Sequence, residues 1–481
     1  MKNRWLLRVL SVSVCLVLIL GLCACGQQSG IGRTEKEQTV VVQGDGQSIN
    51  LLDYQIYYFG QVNNTIASSS SSSSLNLDTT KSLKDQTCSL DTTKTWAEYF
   101  TEETLKACQE ILAGVIAAEN AGITADETVQ QKVQSSLDSI TSAAQSAGQS
   151  ETEYLEELYG KDITMDDMKR VFERYELYDL YMQQQQSGVE VTDEQAEAYY
   201  QQHRSQIDTL TVRIAAFLYN GSMTGETLTQ EEALQRAEEF KNKVTDEASF
   251  VEYFSATLTD TQAIFYSNTD ISKSYNITRD AFGADTESAD YMFDDARQYG
   301  DMRIVDTGSA ALVMYYIEKD TKDYNLCDIR VLIANGDTPS DRLAEAERLY
   351  ESWQNSDQTE ETFIQMYNEF SNQQTGSSAL GDGGLYEDVY KGKSTTEVTE
   401  WCFDASRKPG DVGIVKTYTG NQGAAYYLLY YVSSGENYRT VLARDYVVQE
   451  KMAELAEQLI DQFVVEVHRD VTDSVASMTL S

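Results

Sequence analysis

A thirteen-residue stretch occurs twice in this chain, 110 residues apart. Phe293 to Val305 returns as Phe403 to Val415, with Phe, Asp, Arg, Gly, Asp, Ile and Val in register. A tyrosine-rich apolar strand follows each copy, Ala310 to Ile317 and Ala424 to Val432. Upstream of each lie an opening apolar strand (Val212 to Tyr219; Ile329 to Ile333) and a helical stretch (Glu231 to Phe254; Asp341 to Phe370). A period this long duplicates a domain and does not stack a solenoid, whose repeats run to a few tens of residues. Strand, helices and two further strands make an α+β unit, with helices packed on a small antiparallel sheet. The predicted fold class is therefore α+β, with modules over 208–320 and 325–433.

The chain before the repeat reads differently. Over 40–201 apolar residues recur at helical spacing, as in Leu105, Leu112, Val115 and Ile116, and again in Val129, Val133, Leu137 and Ile140. Capping-box spacings begin these helices at Thr95/Glu98, Thr124/Glu127, Ser150/Glu153 and Thr192/Gln195. Gly122, Gly148, Gly160 and Gly188 stand where helices stop. Ahead of them, Val40 to Val42 read as a short strand, Gly44-Asp45-Gly46 as a turn and Ser48 as the cap of a helix carrying Leu51, Leu52, Ile56 and Phe59. A serine-rich loop occupies 63–92. After the repeat, 436–468 reads as a helix with Val448, Met452, Leu455, Leu459 and Phe463 on one face, expected to pack back on the N-terminal helices; Val464 to Val467 continue as a strand.

The N-terminus carries an address rather than structure. Lys2, Arg4 and Arg8 precede a 14-residue apolar run, Val9 to Leu22, shorter than the roughly 20 residues a spanning helix needs. The run ends in Leu22-Cys23-Ala24-Cys25-Gly26, which resembles a bacterial lipoprotein signal. That resemblance implies removal of 1–24, a diacylglyceryl thioether on Cys25, and acylation (palmitate) of the new N-terminus. The protein would then sit on the extracytoplasmic face of the cell membrane, with 25–39 as a polar tether.

Charge and composition narrow the chemistry. With Asp+Glu 77 against Lys+Arg 37, the chain has a net charge of −40 and no basic cluster past its leader, which excludes nucleic acid as a partner. Two histidines in the whole chain, His203 and His468, all but rule out a His-rich zinc site and make a His-based mechanism hard to build; no metal and no cofactor is expected. Cys88, Cys108, Cys327 and Cys402 read as isolated buried thiols, with a Cys88–Cys108 bridge as the alternative. Asp301 and Asp411, each after a glycine, read as turn caps rather than acids. Gly381 to Gly384 lacks the following Lys and helix of a phosphate loop and reads as a plain turn.

Two groups of residues carry a family resemblance. Thr95 to Phe100 and Tyr154 to Gly160 resemble the N-terminal region of SurA/PrsA-like extracytoplasmic foldases. Gly383-Gly384-Leu385-Tyr386 and Phe403 to Val415 resemble the parvulin-type peptidyl-prolyl isomerase module. The resemblance implies a helical chaperone-like domain, two tandem parvulin-like modules and a returning C-terminal helix. It also implies unfolded or secreted polypeptides as partners. Parvulins lower a rotation barrier of about 18–20 kcal/mol. Behind an apolar proline pocket they use a polar cluster of a histidine, a Cys or Asp, and a second histidine. Here those positions hold Val331, Gln373 and Tyr427, and the first module has Ala216 at the first of them. The pocket's Met and Phe fall near Thr395 and Val398. The implied function is a folding factor with little isomerase activity, with Phe403, Tyr427 and Tyr386 as candidate peptide contacts. An isomerase working without histidines and an envelope scaffold are the alternatives.

Overall fold

Local side-chain bonds set where the first elements begin. The computed structural model describes residues 31–68, 75–219, 228–258, 272–371, 382–418, 423–464 and 466–477. Cys25, Gln373 and most of the serine run lie outside the described residues. The chain divides into two units: the first up to Val191 and again from Tyr446, the second from Thr192 to Asp445.

In the first unit the chain runs through α1 (Arg33–Gln38), β1 (Val40–Gly44), β2 (Gln47–Asn50), α2 (Leu51–Ser68), α3 (Trp96–Asn120), α4 (Glu127–Ala147), α5 (Glu151–Tyr159) and α6 (Met165–Ser187). Asp45 and Gly46 take positive φ (40° and 80°), the geometry a two-residue hairpin needs between β1 and β2. Thr95 and Ser150 form the reciprocal caps expected of them. Two caps differ from the sequence reading. Helix α4 begins at Asp126, whose carboxylate accepts the Val129 N–H at 3.0 Å, so Thr124 lies outside it. Helix α2 is capped by Asn50, which accepts the Asp53 N–H at 2.9 Å, while Ser48 sits in β2.

The expected tether is also corrected. Residues Arg33–Gln38 are helical, and Lys36, only 1% exposed, pairs with Asp162 at 3.0 Å. Arg33 pairs with Asp167 at 2.8 Å. A segment so held belongs to the folded unit. Its core is aromatic: Trp96 stacks on Phe100 with centroids 5.3 Å apart, and Tyr58 meets Phe59 edge-on at 5.5 Å. Into this core α2 carries the fully buried Asp53, which accepts hydrogen bonds from Arg170 and Arg174 of α6, so that its charge is compensated.

The second unit holds α7 (Asp193–Ile207), β3 (Thr209–Leu218), α8 (Gln230–Lys243), α9 (Glu247–Thr257), β4 (Lys273–Ile277), α10 (Thr286–Phe293), β5 (Met302–Asp306), β6 (Ala310–Asp320), β7 (Asn325–Ile333), α11 (Pro339–Gln354), α12 (Glu360–Ser371), β8 (Leu385–Val389), α13 (Thr396–Cys402), β9 (Val412–Tyr418) and β10 (Ala424–Asn437). Its strands form two antiparallel sheets, β4-β3-β6-β5 and β8-β7-β10-β9. The order is the same in both: second strand, first, fourth, third. In each, one face packs on the helix pair (α8 and α9; α11 and α12), and the other packs on the short helix (α10; α13).

The repeated stretch is one structural device built twice. Asp294 and Asp404 accept the N–H two residues on, at 2.7 and 2.8 Å. Asp301 and Asp411 accept the N–H three residues back, at 3.0 and 2.9 Å. Arg297 lies over the Tyr291 ring at 3.9 Å, and Arg407 over Trp401 at 4.1 Å. Gly300 and Gly410 both turn at positive φ (94° and 92°) and donate to Tyr316 and Tyr431 of the closing strands. Among the in-register residues, the two aspartates and the arginine by their side chains, and the glycine by its backbone, fix the turn from short helix to third strand.

The two halves of this unit are joined by polar contacts. Lys322, buried in the link between β6 and β7, donates to Asp320, Thr209 and Asn276. Asn276 in turn donates to the Lys391 carbonyl at 2.8 Å, and Lys273 pairs with Glu400 at 2.7 Å.

Beyond β10 the chain continues as α14 (Tyr438–Phe463), β11 (Glu466–Val467) and α15 (Asp473–Ala476). From Tyr446 onward it belongs again to the first unit. There Leu459 packs on Ala113 and Ala117 of α3, with Leu455 and Phe463 beside it. Strand β11 pairs with β1, Val467 opposite Val42. The described residues thus form an α+β fold with three small antiparallel sheets. Among the described residues no helix is long and apolar enough to cross a membrane.

Candidate functional site

Strand alternation sorts the residues of β7 between two faces. Cys327, Ile329, Val331 and Ile333 point to the α13 side, and Arg330 and Leu332 to the helix pair. Tyr427, Leu429 and Tyr431 of β10 share the α13 side. Pairing places Tyr427 opposite Ile333 and Leu429 opposite Val331. Four residues singled out in sequence therefore meet on one face: Val331, Tyr427, Phe403 and Tyr386 all belong to or pack against the same cluster. Gln373 lies outside the described residues. Ala216 occupies the corresponding strand of the other sheet, opposite Leu312.

Helix α13 lies over β9, where a side chain on Gly413 would come within 2.7 Å of the Trp401 indole nitrogen, and the Thr417 hydroxyl donates to Thr395 at 2.8 Å. Thr395 caps this helix and Val398 is buried beneath it. The β7 side is less covered. Val331 is buried, Tyr427 is half-buried, and Ile333 is 45% exposed, one of few large apolar side chains so open to solvent among the described residues. On β8, Tyr386 donates to the Lys393 carbonyl, and the Lys393 ammonium sits 4.7 Å from its ring. Phe403 packs edge-on against Tyr324 at 5.2 Å. The result is an apolar strip in which Ile333 is exposed, Tyr427 half-buried and Val331 buried beneath them, with aromatic flanks.

What holds this strip in place was not read from the sequence. Arg330, buried on the opposite face, pairs with Glu360 at 2.9 Å and donates to the Gly383 carbonyl at 3.1 Å. Arg213 of β3 does the same work, pairing with Glu247 at 2.7 Å and donating to Ser272 at 2.8 Å. Each arginine ties the first strand to the second helix and to the approach of the second strand. The signal was present in the sequence as one arginine inside each opening apolar strand. The Gly383-Gly384 turn has a steric cause: a Cβ on Gly384 would lie 2.8 Å from the Val331 carbonyl oxygen.

The strip's chemistry is limited. Val331 neither donates nor accepts through its side chain. Burial pushes the Tyr427 phenol above its ordinary value of 10, so it stays protonated near neutral pH. Such a surface can desolvate and hold an apolar side chain, and it has no group that exchanges a proton at pH 7. A separate cavity of about 450 Å³ opens on the helix-pair face of the first sheet, against Phe217, Leu228, Phe240 and Tyr253; of the residues singled out in sequence only Ala216 lines it. Among the described residues no cluster of His, Cys, Asp or Glu could hold a metal ion. No protein-family model matches the chain, and no curated protein matches it.

Proposed function

We propose that this protein is a membrane-anchored extracytoplasmic folding factor, a holdase of the parvulin type with little isomerase activity. Lipid on Cys25 holds it to the cell membrane, and its clients are unfolded or secreted polypeptides. In this reading the first unit is the chaperone-like helical domain, and the two four-stranded sheets of the second are tandem parvulin-like modules. One observation carries it. The two family positions on the α13 face hold a buried Val331 and a half-buried, protonated Tyr427, and beside them the Ile333 side chain is open to solvent. Catalysis in the family's manner lacks its polar cluster there, while the apolar surface suited to an unfolded segment remains. The common order of both sheets and the twice-built Asp-Arg-Gly-Asp turn support the duplication.

Two assays on the chain from Gln27 onward test the reading. Cis-to-trans relaxation of a prolyl tetrapeptide should run at its uncatalysed rate. Light scattering by an aggregating, chemically unfolded client should fall as the protein is added in stoichiometric amounts. Rapid turnover lost in Tyr427→Phe would instead make it an isomerase without histidines. Absence of both activities would make it a scaffold.

A further inference from the structure

The cavity over the first sheet lies between two helices and reaches the edge of a strand. Glu239, Phe240 and Lys243 line it from one stripe of α8, and Tyr253 and Thr257 from one stripe of α9. Its volume of about 450 Å³ falls among those of ligand pockets, about 300–1,000 Å³. Strand β3 forms its floor. Phe217 points to the helix pair, and alternation turns the Ala216 side chain to the α10 face, so Ala216 meets the cavity through its backbone. That backbone is uncovered among the described residues. Strand β4 pairs with β3 only as far as Arg213, and the Ile214 N–H donates to the Ser272 carbonyl at 2.7 Å. The Ala216 N–H and C=O face the same edge, and the next pairing there is the bridge between Tyr219 and Leu228.

The opening belongs to one copy of the repeat. Matching the helix caps Thr229 and Thr338 sets Val244 against Trp353; matching the braced Glu247 and Glu360 sets Thr257 against Phe370. In the second copy Trp353 packs on Phe363 and Tyr430, with centroids 5.9 and 5.6 Å apart, and Phe370 packs on the same cluster. The smaller side chains of the first copy leave this space open.

We infer that this cavity takes a large apolar side chain of an extended, acidic polypeptide segment whose backbone pairs with the uncovered edge of β3 at Ala216. Main-chain bonds along a strand edge give affinity, and a pocket beside the edge selects among alternate side chains. Phe217 and Phe240 desolvate the inserted side chain. Charge sets the preference for what lies beside it. Glu239 accepts from the Gln235 amide at 3.0 Å, whereas Lys243 makes no ion pair among the described residues. With Arg236 the rim has two cations against one acid, on a chain of net charge −40. A carboxylate two residues from the inserted side chain shares its face and is the one placed to meet Lys243. A fatty acyl chain would use the apolar floor but gain nothing from the strand edge.

The inference rests on the reading of polypeptides as clients and gives them a site apart from Ile333. The probe is a fluorescently labelled peptide with a central phenylalanine and an aspartate two residues away on either side. Its anisotropy should rise saturably as the full chain is added. Thr257→Phe, which copies the closed second module, should weaken binding about tenfold or more with the far-ultraviolet circular dichroism unchanged. Lys243→Glu, at an exposed position, should reverse the preference, so that the peptide with lysines for aspartates binds better. Methylating the backbone nitrogens that flank the phenylalanine should remove binding, since those N–H groups face β3. No binding, or binding unmoved by both Thr257→Phe and Lys243→Glu, overturns the inference; if Thr257→Phe misfolds, Lys243→Glu decides. Displacement by decanoate with no effect of methylation makes the cavity a lipid site and overturns it too. Binding lost in Ile333→Asp but kept in Thr257→Phe overturns it while the folding-factor reading stands. Binding kept in Ile333→Asp and lost in Thr257→Phe, with both variants still suppressing aggregation, supports a second site.

Discussion

Replacing Gly384 by alanine tests whether the second sheet is built by close approach at the Gly383-Gly384 turn. Gly384 has φ +74°, and a Cβ there would lie 2.8 Å from the Val331 carbonyl oxygen and 2.7 Å from the Tyr367 ring. The ring can swing aside, but the carbonyl oxygen belongs to the central strand and cannot move without disturbing the pairing of β7. Gly410 supplies the control: its φ is +92°, and its Cβ would meet nothing within 4 Å. An L-residue held in left-handed backbone costs about 1–2 kcal/mol, the whole cost expected for Gly410→Ala. Forcing atoms into a packed site adds about 1–3 kcal/mol, so Gly384→Ala should lose about 2–5 kcal/mol in all. Hydrogen exchange of peptides from β7, β8 and β10 reads the difference directly, because each 1.4 kcal/mol is about tenfold in opening. Exchange in β7 and β8 should rise about tenfold or more further in Gly384→Ala than in Gly410→Ala, while peptides of the first sheet hold their protection. Equal losses in the two variants would refute the steric argument.

Three further outcomes follow from named contacts. Leu459→Ala opens a cavity against Ala113 and Ala117, and should cost the first unit about 2–5 kcal/mol, seen as an earlier loss of Trp96 fluorescence in urea with the Trp353 and Trp401 signals unmoved. Burial alone would raise the Asp167 carboxyl, but hydrogen bonds from Arg33, Thr164 and Arg170 outweigh it and hold the group at about 2. Its contribution is therefore full above the unfolded carboxylate's value of about 3.9 and lost as pH falls towards 2; Asp167→Asn should lower the urea midpoint at pH 7 and flatten its fall across that acid window. Ile333→Asp places a charge on the apolar strip at an exposed site and should abolish aggregation suppression while leaving the far-ultraviolet circular dichroism spectrum unchanged; retained suppression would place client binding elsewhere.

What could be read in the sequence depended on whether the determining residues were neighbours. The repeated turn was legible because Asp294, Arg297, Gly300 and Asp301 act on one another over a few residues, and the same bonds recur around Asp404, Arg407, Gly410 and Asp411. The cap of α4 was misplaced by two residues because Thr124 and Asp126 are both good caps, and only the backbone path chooses. Helix α1 was invisible for a different reason. Its sequence has no apolar stripe, and what fixes it is Lys36 finding Asp162 far along the chain. Strands β4 and β8 were missed because they are edge strands, half-exposed and mixed in polarity, as Lys273 to Ile277 and Leu385 to Val389 show. The face carrying Val331, Tyr427, Phe403 and Tyr386 was foreshadowed residue by residue, but its open edge at Ile333 required the register of β7 against β10.

Adjacent residues of β7 divide the tasks of the module between its two faces. Arg330 points to the helix pair, where its ion pair with Glu360 and its bond to Gly383 hold α12 and β8 to the sheet. Val331 points the other way, to the strip beside Tyr427 and Ile333. The brace and the site are one residue apart in sequence and a sheet thickness apart in space. The polar residues that hold the sheet together therefore contribute nothing to chemistry on the α13 face, and replacing a polar group on that face leaves the brace untouched. The same division holds in the other sheet, where Arg213 braces β3 to Glu247 and Ser272 while Ala216, three residues on, stands opposite Leu312.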